Sequence, residues 1–344
     1  MRRILVAALF AVWSLPAVAA PGDTPKDPKI APASWRELGP MSFKLAKGET
    51  FRLVTVGKMQ GETSMSMNGQ DMSFGMSGTT VSGVKTVVAS DTDGEYKLDM
   101  LTDELSMKTE MEVMGQAMLI SILNDQIKVV QGDNVLVDTA TGKGGDMVKM
   151  FQGQGVGYKA KGSMTITADG KVVGKVEGDP AFIKAQGMTP SAGPFMVVFG
   201  KDSLKQGATW TVETDLTALQ QLQLKTPTKL ISTMKVEGLA TVDGVECLDI
   251  SLSIPVKVAG AKAQMEQQGV EVAFDLKNMA GSTTGHAYFD PKAGRFVYAS
   301  MNSDIQMEGD VALPGGMGQM PMKMHMKIKA GVFRVPVAAT AAPK

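Results

Sequence analysis

Apolar side chains in this chain return at every second position far more often than at the helical spacing, and this alternation is the strongest constraint on its fold. Phe51, Leu53, Thr55 and Gly57 alternate with Arg52, Val54, Val56 and Lys58; Met65-Ser66-Met67 and Met72-Ser73-Phe74-Gly75-Met76 repeat the theme, and Val81 to Val88 and Tyr96 to Met100 continue it. Ala208 to Val212, Lys229 to Val236, Leu248 to Ile254, Val270 to Leu276, Thr283 to Phe289, Phe296 to Ile305 and Met320 to Val335 read the same way. A period of two sends successive side chains to opposite faces of a pleated strand, so each segment presents one apolar face. The separators are hairpin chemistry: Asp93-Gly94, Gly132-Asp133-Asn134, Asp169-Gly170 and Asp243-Gly244. Asp-Gly readily takes the positive φ angles of tight turns.

The pattern predicts an all-β protein with a few short helices: either one large curved antiparallel sheet, a half-barrel, or two successive β-units meeting near residue 190. Short helices are expected at Asp146 to Phe151, Pro180 to Gln186 and Leu216 to Leu222, and Met114 to Leu123 fits a helical face or a buried strand. A weak internal echo places an acidic turn, then Gly-Lys/Arg-apolar-Val, between strands at Thr165 to Val173 and again at Tyr288 to Val297. The organisation read from the sequence is a signal peptide over 1–20, a Pro-rich linker over 21–40, β-units over 41–190 and 191–335, and a biased, frayed tail over 336–344.

The address comes from the first twenty residues. Arg2-Arg3, the apolar run Ile4 to Leu15 and the small-residue end Ala17-Val18-Ala19-Ala20 form a Sec-type signal, with cleavage expected near Ala19 or Ala20. This predicts an exported product, periplasmic or extracellular. No later stretch reaches about 18 uninterrupted apolar residues, the length a membrane-spanning helix needs. Lys+Arg and Asp+Glu balance at 35 each and are interspersed. That balance argues against a nucleic-acid surface or a polybasic membrane contact. Aromatics are 6% of the chain, too sparse for the two girdles of an outer-membrane barrel. Cys247 is the only cysteine, so no intramolecular disulfide forms; its place opposite Leu248, Ile250, Leu252 and Ile254 in the alternation predicts partial exposure, leaving the thiol inert or free to link two chains.

The composition is unusual in one respect: 27 methionines against three tryptophans and four tyrosines. A flexible, polarisable thioether suits an adaptable apolar interior or a soft metal ion. On the first reading, Met65, Met67, Met72, Phe74, Met76, Met107, Met111, Met320, Met322, Met324 and Met326 line a surface for an apolar, lipid-like ligand, with the early and late clusters facing one another if first and last strands are close. On the second, Met320, Met322, Met324 and Met326 with His325 bind Cu(I) or Ag(I). Spacing weakens that alternative. Along one strand these sulfurs stand about 6.6 Å apart on one face, while His325 points to the other.

The order of the signatures also carries a resemblance. Lys47-Gly48-Glu49, the Met-rich strands, Asp169-Gly170-Lys171-Val172, Gly207-Ala208-Thr209-Trp210, Phe289-Asp290-Pro291-Lys292-Ala293-Gly294-Arg295 and Met320-Pro321-Met322-Lys323-Met324-His325-Met326 follow one another. In that order the chain resembles, over nearly all of its mature length, a family of exported bacterial proteins known as a domain of unknown function. The resemblance brings no catalytic residues. At fold level the chain is also similar to large periplasmic half-barrels that carry lipids or lipoproteins.

Catalytic patterns are missing. His286 and His325 are the only histidines, no Gly-x-Ser-x-Gly elbow or His-Glu-x-x-His is present, and no cysteine pair supports zinc. Gly153-Gln154-Gly155-Val156-Gly157 lacks both dinucleotide and P-loop spacing, and Asp91-Thr92-Asp93-Gly94-Glu95 lacks the distal ligands of a calcium loop. The sequence therefore points to an exported, soluble, non-catalytic binding protein without a cofactor, whose contact is an apolar small molecule or an envelope component. A copper or silver binder and a ligand-free structural envelope protein are the alternatives.

Overall fold

A computed structural model describes residues 25–67, 70–113, 116–144, 158–179, 182, 197–199, 204–215, 222–224, 229–267, 270–312 and 319–337. Its first half contains β1 (Ile30–Ala33), β2 (Thr50–Met67), β3 (Gln70–Thr92), β4 (Glu95–Val113), β5 (Gln116–Leu123), β6 (Gln126–Gln131), β7 (Asn134–Asp138), β8 (Lys161–Thr167) and β9 (Val172–Gly178). The second half contains β10 (Thr209–Asp215), β11 (Leu222–Leu224), β12 (Lys229–Val242), β13 (Val245–Gln267), β14 (Val270–Asp290), β15 (Arg295–Ala312) and β16 (Gln319–Pro336). All sixteen belong to one curved antiparallel sheet that does not close into a barrel. Its spatial order is β1-β12-β13-β14-β15-β16-β2-β3-β4-β5-β6-β7, with β8, β9, β10 and β11 paired beside this path.

The two halves of the chain meet in the middle of the sheet. β16 pairs with β2 from Met322 opposite Met65 to Pro336 opposite Phe51, so strands from both halves share one ladder. Met114 to Leu123 resolves as a strand over its described part, β5. Val270 to Leu276 and Thr283 to Phe289, separate runs in the sequence, are one 21-residue strand, β14. The turn assignments hold. Asp93 and Gly94 both have positive φ, 52° and 79°, as do Asp243 and Gly244, 47° and 85°, the twist that a two-residue hairpin requires. Asp146 to Phe151, most of Pro180 to Gln186, and the signal peptide lie outside the described residues, as does Pro190 to Gly193 between the expected units; of the helix expected at Leu216 to Leu222 only Leu222 is described, and it begins the strand β11 instead.

The long strands carry two cores along one face. At the end bearing the Asp93-Gly94 and Asp243-Gly244 turns, Phe51, Val88, Leu98, Ile166, Leu248, Ile250, Phe289 and Phe296 are buried with Leu38, Phe43, Leu45 and Phe199 from the segments that cover them. Phe43, Phe199 and Phe289 pack ring on ring, with centroids 4.7 to 5.8 Å apart in tilted and edge-on contacts. Backbone bonds fix this plug: Phe43 N–H donates to Ala168 O at 2.7 Å, and Phe199 N–H to Asp169 O at 2.7 Å. The Tyr96 hydroxyl donates to Phe43 O at 2.9 Å. The opposite half of the same face is the methionine core described below.

Of the Pro-rich stretch 21–40, residues 25–40 are described, and this part does not hang free. Ile30–Ala33 adds an edge strand to β12, and Leu38 is buried in the aromatic core, because this segment has apolar residues to place between its prolines.

Cys247 corrects an expectation. It lies on the face opposite Leu248 and Ile250, as the alternation required, but it is fully buried rather than partly exposed. The outer face is also apolar at this end: Cys247 packs in a cluster with Ala240, Val242, Tyr288, Tyr298 and Phe333. Tyr288 stacks on Tyr298 with centroids 5.9 Å apart, and Tyr298 lies 4.9 Å from Phe333. Burial, with the negative charges of Asp290 and Glu246 adding to it, pushes the thiol up to about 12.

Two measurements test this architecture. Gly170 has φ +92°, and a Cβ there would press on the Val197 carbonyl and the Phe43 ring, whereas Gly48, at φ +83°, faces open space. Gly48→Ala should lower unfolding stability by about 1–2 kcal/mol, the left-handed penalty alone. Gly170→Ala should cost at least about 1 kcal/mol more, because the contact adds overpacking; equal urea midpoints for the two variants would contradict the packing of Phe43 and Val197. Separately, Cys247 should resist thiol reagents at mildly alkaline pH and react fully once guanidinium unfolds the chain.

Candidate functional site

The methionine core is assembled by strand register. Directly opposite one another across β15, β16, β2, β3, β4 and β5 stand Ile305, Met326, Gly61, Met76, Met111 and Met118. The next row runs Met279, Met307, Met324, Thr63 and Phe74, and the one beyond it Gly309, Met322, Met65 and Met72. Side chains opposite across antiparallel strands have Cβ atoms about 4.5–5.5 Å apart, so the thioethers touch along rows as well as along strands. Met320 and Met107 belong to the same buried cluster, and its buried members are 1% to 8% exposed.

Glycines make this density possible. A Cβ on Gly61 would sit 3.2 Å from Met76 Cγ and 3.5 Å from Met326 Cγ, so the two methionines converge over the missing side chain from either side. A Cβ on Gly78 would meet Met59 Cε at 3.4 Å in the same way. Alternating small and large residues is how a tightly curved sheet fills its inner side.

Of the eleven residues expected to line a surface, Met65, Phe74, Met76, Met107, Met111, Met320, Met322, Met324 and Met326 are buried in this one cluster, and the half-buried Met72 packs against it. Met67 ends β2 opposite Gln70, and its side chain lies outside the described set. The early and late clusters do not face one another across a hollow. They sit side by side on one face, because β16 is hydrogen-bonded to β2.

The opposite face of these strands is wet and charged. Lys58, Glu62, Lys323, Lys327, Lys329, Asp304 and Glu308 are all exposed there. Lys323 lies 3.3 Å from Glu308 and Lys327 3.9 Å from Asp304, exposed pairs of small energetic weight. A lysine facing lipid at mid-bilayer costs about 2–4 kcal/mol, so this outward face has the wrong polarity for a lipid-embedded barrel wall.

His325 belongs to that outer face. Its Nε2 lies 2.7 Å from Asp304 Oδ1, and the ring is on the side of the sheet away from Met320, Met322, Met324 and Met326. It therefore cannot complete a metal site with those thioethers, which corrects its inclusion in that set; the pleat that gathers the methionines turns His325 away. Among the described residues, no group of three or more His, Cys, Asp or Glu side chains is arranged to hold a metal ion.

Two polar features had no signal in the sequence, because register alone brings them together. On the outer face of β13 and β14, His286 Nδ1 lies 2.7 Å from Asp249 Oδ1, and the Ser251 hydroxyl donates to Glu237 Oε1 at 2.6 Å. Ser251 stands opposite His286, but its hydroxyl is committed to Glu237. Hydrogen bonds from Lys235 and then Ser251 hold the Glu237 carboxyl below its usual range. The second feature is on the inner face, at the aromatic end. There the Arg334 guanidinium lies 4.0 Å from the Phe51 ring centroid and bonds Glu49, while burial lowers its pKa. Arg295 approaches the same carboxylate at 3.6 Å.

No family model matches the chain, and no curated protein matches it. Among solved structures it is similar to a Pseudomonas aeruginosa FadL homologue at 8% identity and a TM-score of 0.22, covering 83% of this chain and 90% of that one. The translocator domain of autotransporter NalP from Neisseria meningitidis gives 7% and 0.19, over 84% of this chain and 89% of that one. Pseudomonas aeruginosa OccK11 (OpdR) gives 8% and 0.18, over 85% and 100%. Likenesses at such TM-scores carry no inference, and the functional argument rests on the geometry of the inner face.

Proposed function

We propose that the protein is an exported, non-catalytic binder that holds an apolar, lipid-like ligand among the thioethers of its inner face. The observation that carries this reading is the gathering of methionines from β2, β3, β4, β5 and β16 onto one face whose reverse side is charged. A purely structural core is usually filled with Leu, Ile, Val and Phe, whose rotamers are well defined. The other half of the same face is built in that way, around Phe43, Phe51, Phe289 and Phe296. Methionine side chains repack at low cost, so a chain of varied length can exchange with them without a fixed pocket. Because the thioethers are buried, the ligand enters by displacing side chains that otherwise fill the space. The competing reading is soft-metal binding, favoured by Met322, Met65 and Met72 standing opposite one another on three adjacent strands.

Native mass spectrometry of protein purified from its host's periplasm separates these readings. A lipid-sized adduct is expected. A copper adduct, or a bare mass that also persists after incubation with acyl lipids, would overturn the proposal. Replacing Met65, Met76, Met324 and Met326 together by leucine conserves volume, so stability should change by less than about 1.5 kcal/mol per site. The leucine variant should accept a narrower range of acyl lengths than the parent, and an unchanged range would count against the role given to the thioethers.

A further inference from the structure

Among the described residues, two threonines, Thr63 and Thr109, are buried on the methionine face, and of the two only Thr63 has an unpartnered hydroxyl. Thr63 stands between Met324 on β16 and Phe74 on β3, with Gly61 and Met65 beside it along β2. It is 2% exposed, and its Oγ1 has no hydrogen-bond partner. A buried hydroxyl without a partner destabilises the fold that contains it, and the shape-matched apolar replacement, valine, would remove that penalty. Such a group in the middle of a largely oily surface signals a partner that the protein alone does not supply.

We infer that Thr63 is the anchor for an oxygen of the bound ligand, which makes that ligand an amphiphile with a carbonyl along or near its chain, an acyl ester, rather than a plain hydrocarbon. The inference rests on the reading of the inner face as a ligand site. The Thr63 hydroxyl donates to the carbonyl oxygen, and the chain runs among Met65, Met76, Met324 and Met326. An ester suits this place better than a free carboxylate, because at the methionine end the charged residues of these strands lie on the reverse face, and Arg334, on the inner face at the aromatic end, is ten positions along the ladder from Thr63; an anion here would be desolvated without a counter-charge.

The fold contains its own control. Thr86 is also fully buried with an unpartnered Oγ1, but it lies at the aromatic end, opposite Phe51 and Met100. If relief of an unsatisfied hydroxyl were all that mattered, Thr86→Val and Thr63→Val would behave alike.

The test uses the mature protein and two probes, methyl oleate and a straight-chain alkene of matched length, each displacing a fluorescent acyl probe. Wild type should prefer the ester by roughly tenfold, the value of one well-made hydrogen bond in an apolar site. Thr63→Val should lose that preference while keeping its affinity for the alkene, and its melting temperature should stay level or rise. Thr86→Val should keep the preference. Equal binding of the two probes by wild type, or an undiminished preference in Thr63→Val, overturns the role of Thr63 and leaves the ligand-site reading standing. A fall in the melting temperature of Thr63→Val shows that the hydroxyl has a partner within the protein and also overturns it. Binding of neither probe removes both the anchor and the site.

Discussion

The pairing of β16 with β2 decides what the rest of the sheet can be, because it is the long ladder that joins the two halves of the chain, beside the four-residue pairing of β1 with β12, and it sets which residues share the inner face. Glu49 and Arg334, at one end of this seam, are 285 residues apart in sequence. A slip of one residue in the ladder would turn Met320, Met322, Met324 and Met326 outward and bring Lys323, Lys327 and Lys329 into the core, since the side-chain period is two. Apolar burial therefore opposes slippage, and the Arg334 pair supplies a second check. With its guanidinium over Phe51 and its charge on Glu49, Arg334 is satisfied in one register only. A buried ion pair is weak evidence for stability, but a group that is costly when mispaired can specify alignment. Closing so long a loop carries an entropic cost that the contacts of the seam must offset.

Much of this was legible. The alternation of Phe51, Leu53, Met65 and Met67, and of Met320 to Met326, states strand and face directly, and Asp93-Gly94 and Asp243-Gly244 mark hairpins because few other dipeptides accept two positive φ angles. Strand length was less legible. Lys277 to Ser282 separates two short strands in the sequence pattern, yet it lies within β14, where at Gly281 the Asp304 carbonyl on β15 occupies the space a side chain would need. The strand order was not legible at all. Hairpins report only on neighbours in sequence, while the contact of β2 with β16 depends on complementarity between whole faces. Cys247 shows the same limit: alternation placed it on the correct side, but only the tertiary cluster with Tyr288, Tyr298 and Phe333 reveals that this side is buried too.

The candidate site divides along the same line. Which residues are methionine, and that they share a face within each strand, follows from the sequence. That Met322 stands opposite Met65, or that Met76 and Met326 converge over Gly61, follows from register and from the absence of a side chain on a neighbouring strand. The exclusion of His325 from the thioether set was implicit in the pleat, and Asp304 supplies the reason that it stays on the outer face. Thr63 gave no signal, because a threonine in a strand is ordinary until its surroundings are known.

The two halves of the inner face use different physics on the same strands. At the aromatic end, rings in edge-on contact and backbone bonds from Phe43 and Phe199 hold a single arrangement, since flat, rigid side chains lose little entropy on packing and tolerate few alternatives. At the methionine end, three rotatable bonds per side chain permit many arrangements of similar energy. β2 passes from Phe51 and Leu53 to Met59 and Met65 without a break in its ladder to β3, and β4 passes from Tyr96 and Leu98 to Met107 and Met111 across a bulge at Asp103 that keeps both sets on one face. A rigid end can thus hold the sheet in register while the other end rearranges its side chains, which reconciles a stable fold with an interior able to admit a guest. The unpartnered Thr63 hydroxyl fits the same division. It lies in the half where packing is adaptable, so a ligand oxygen can reach it without disturbing the aromatic plug.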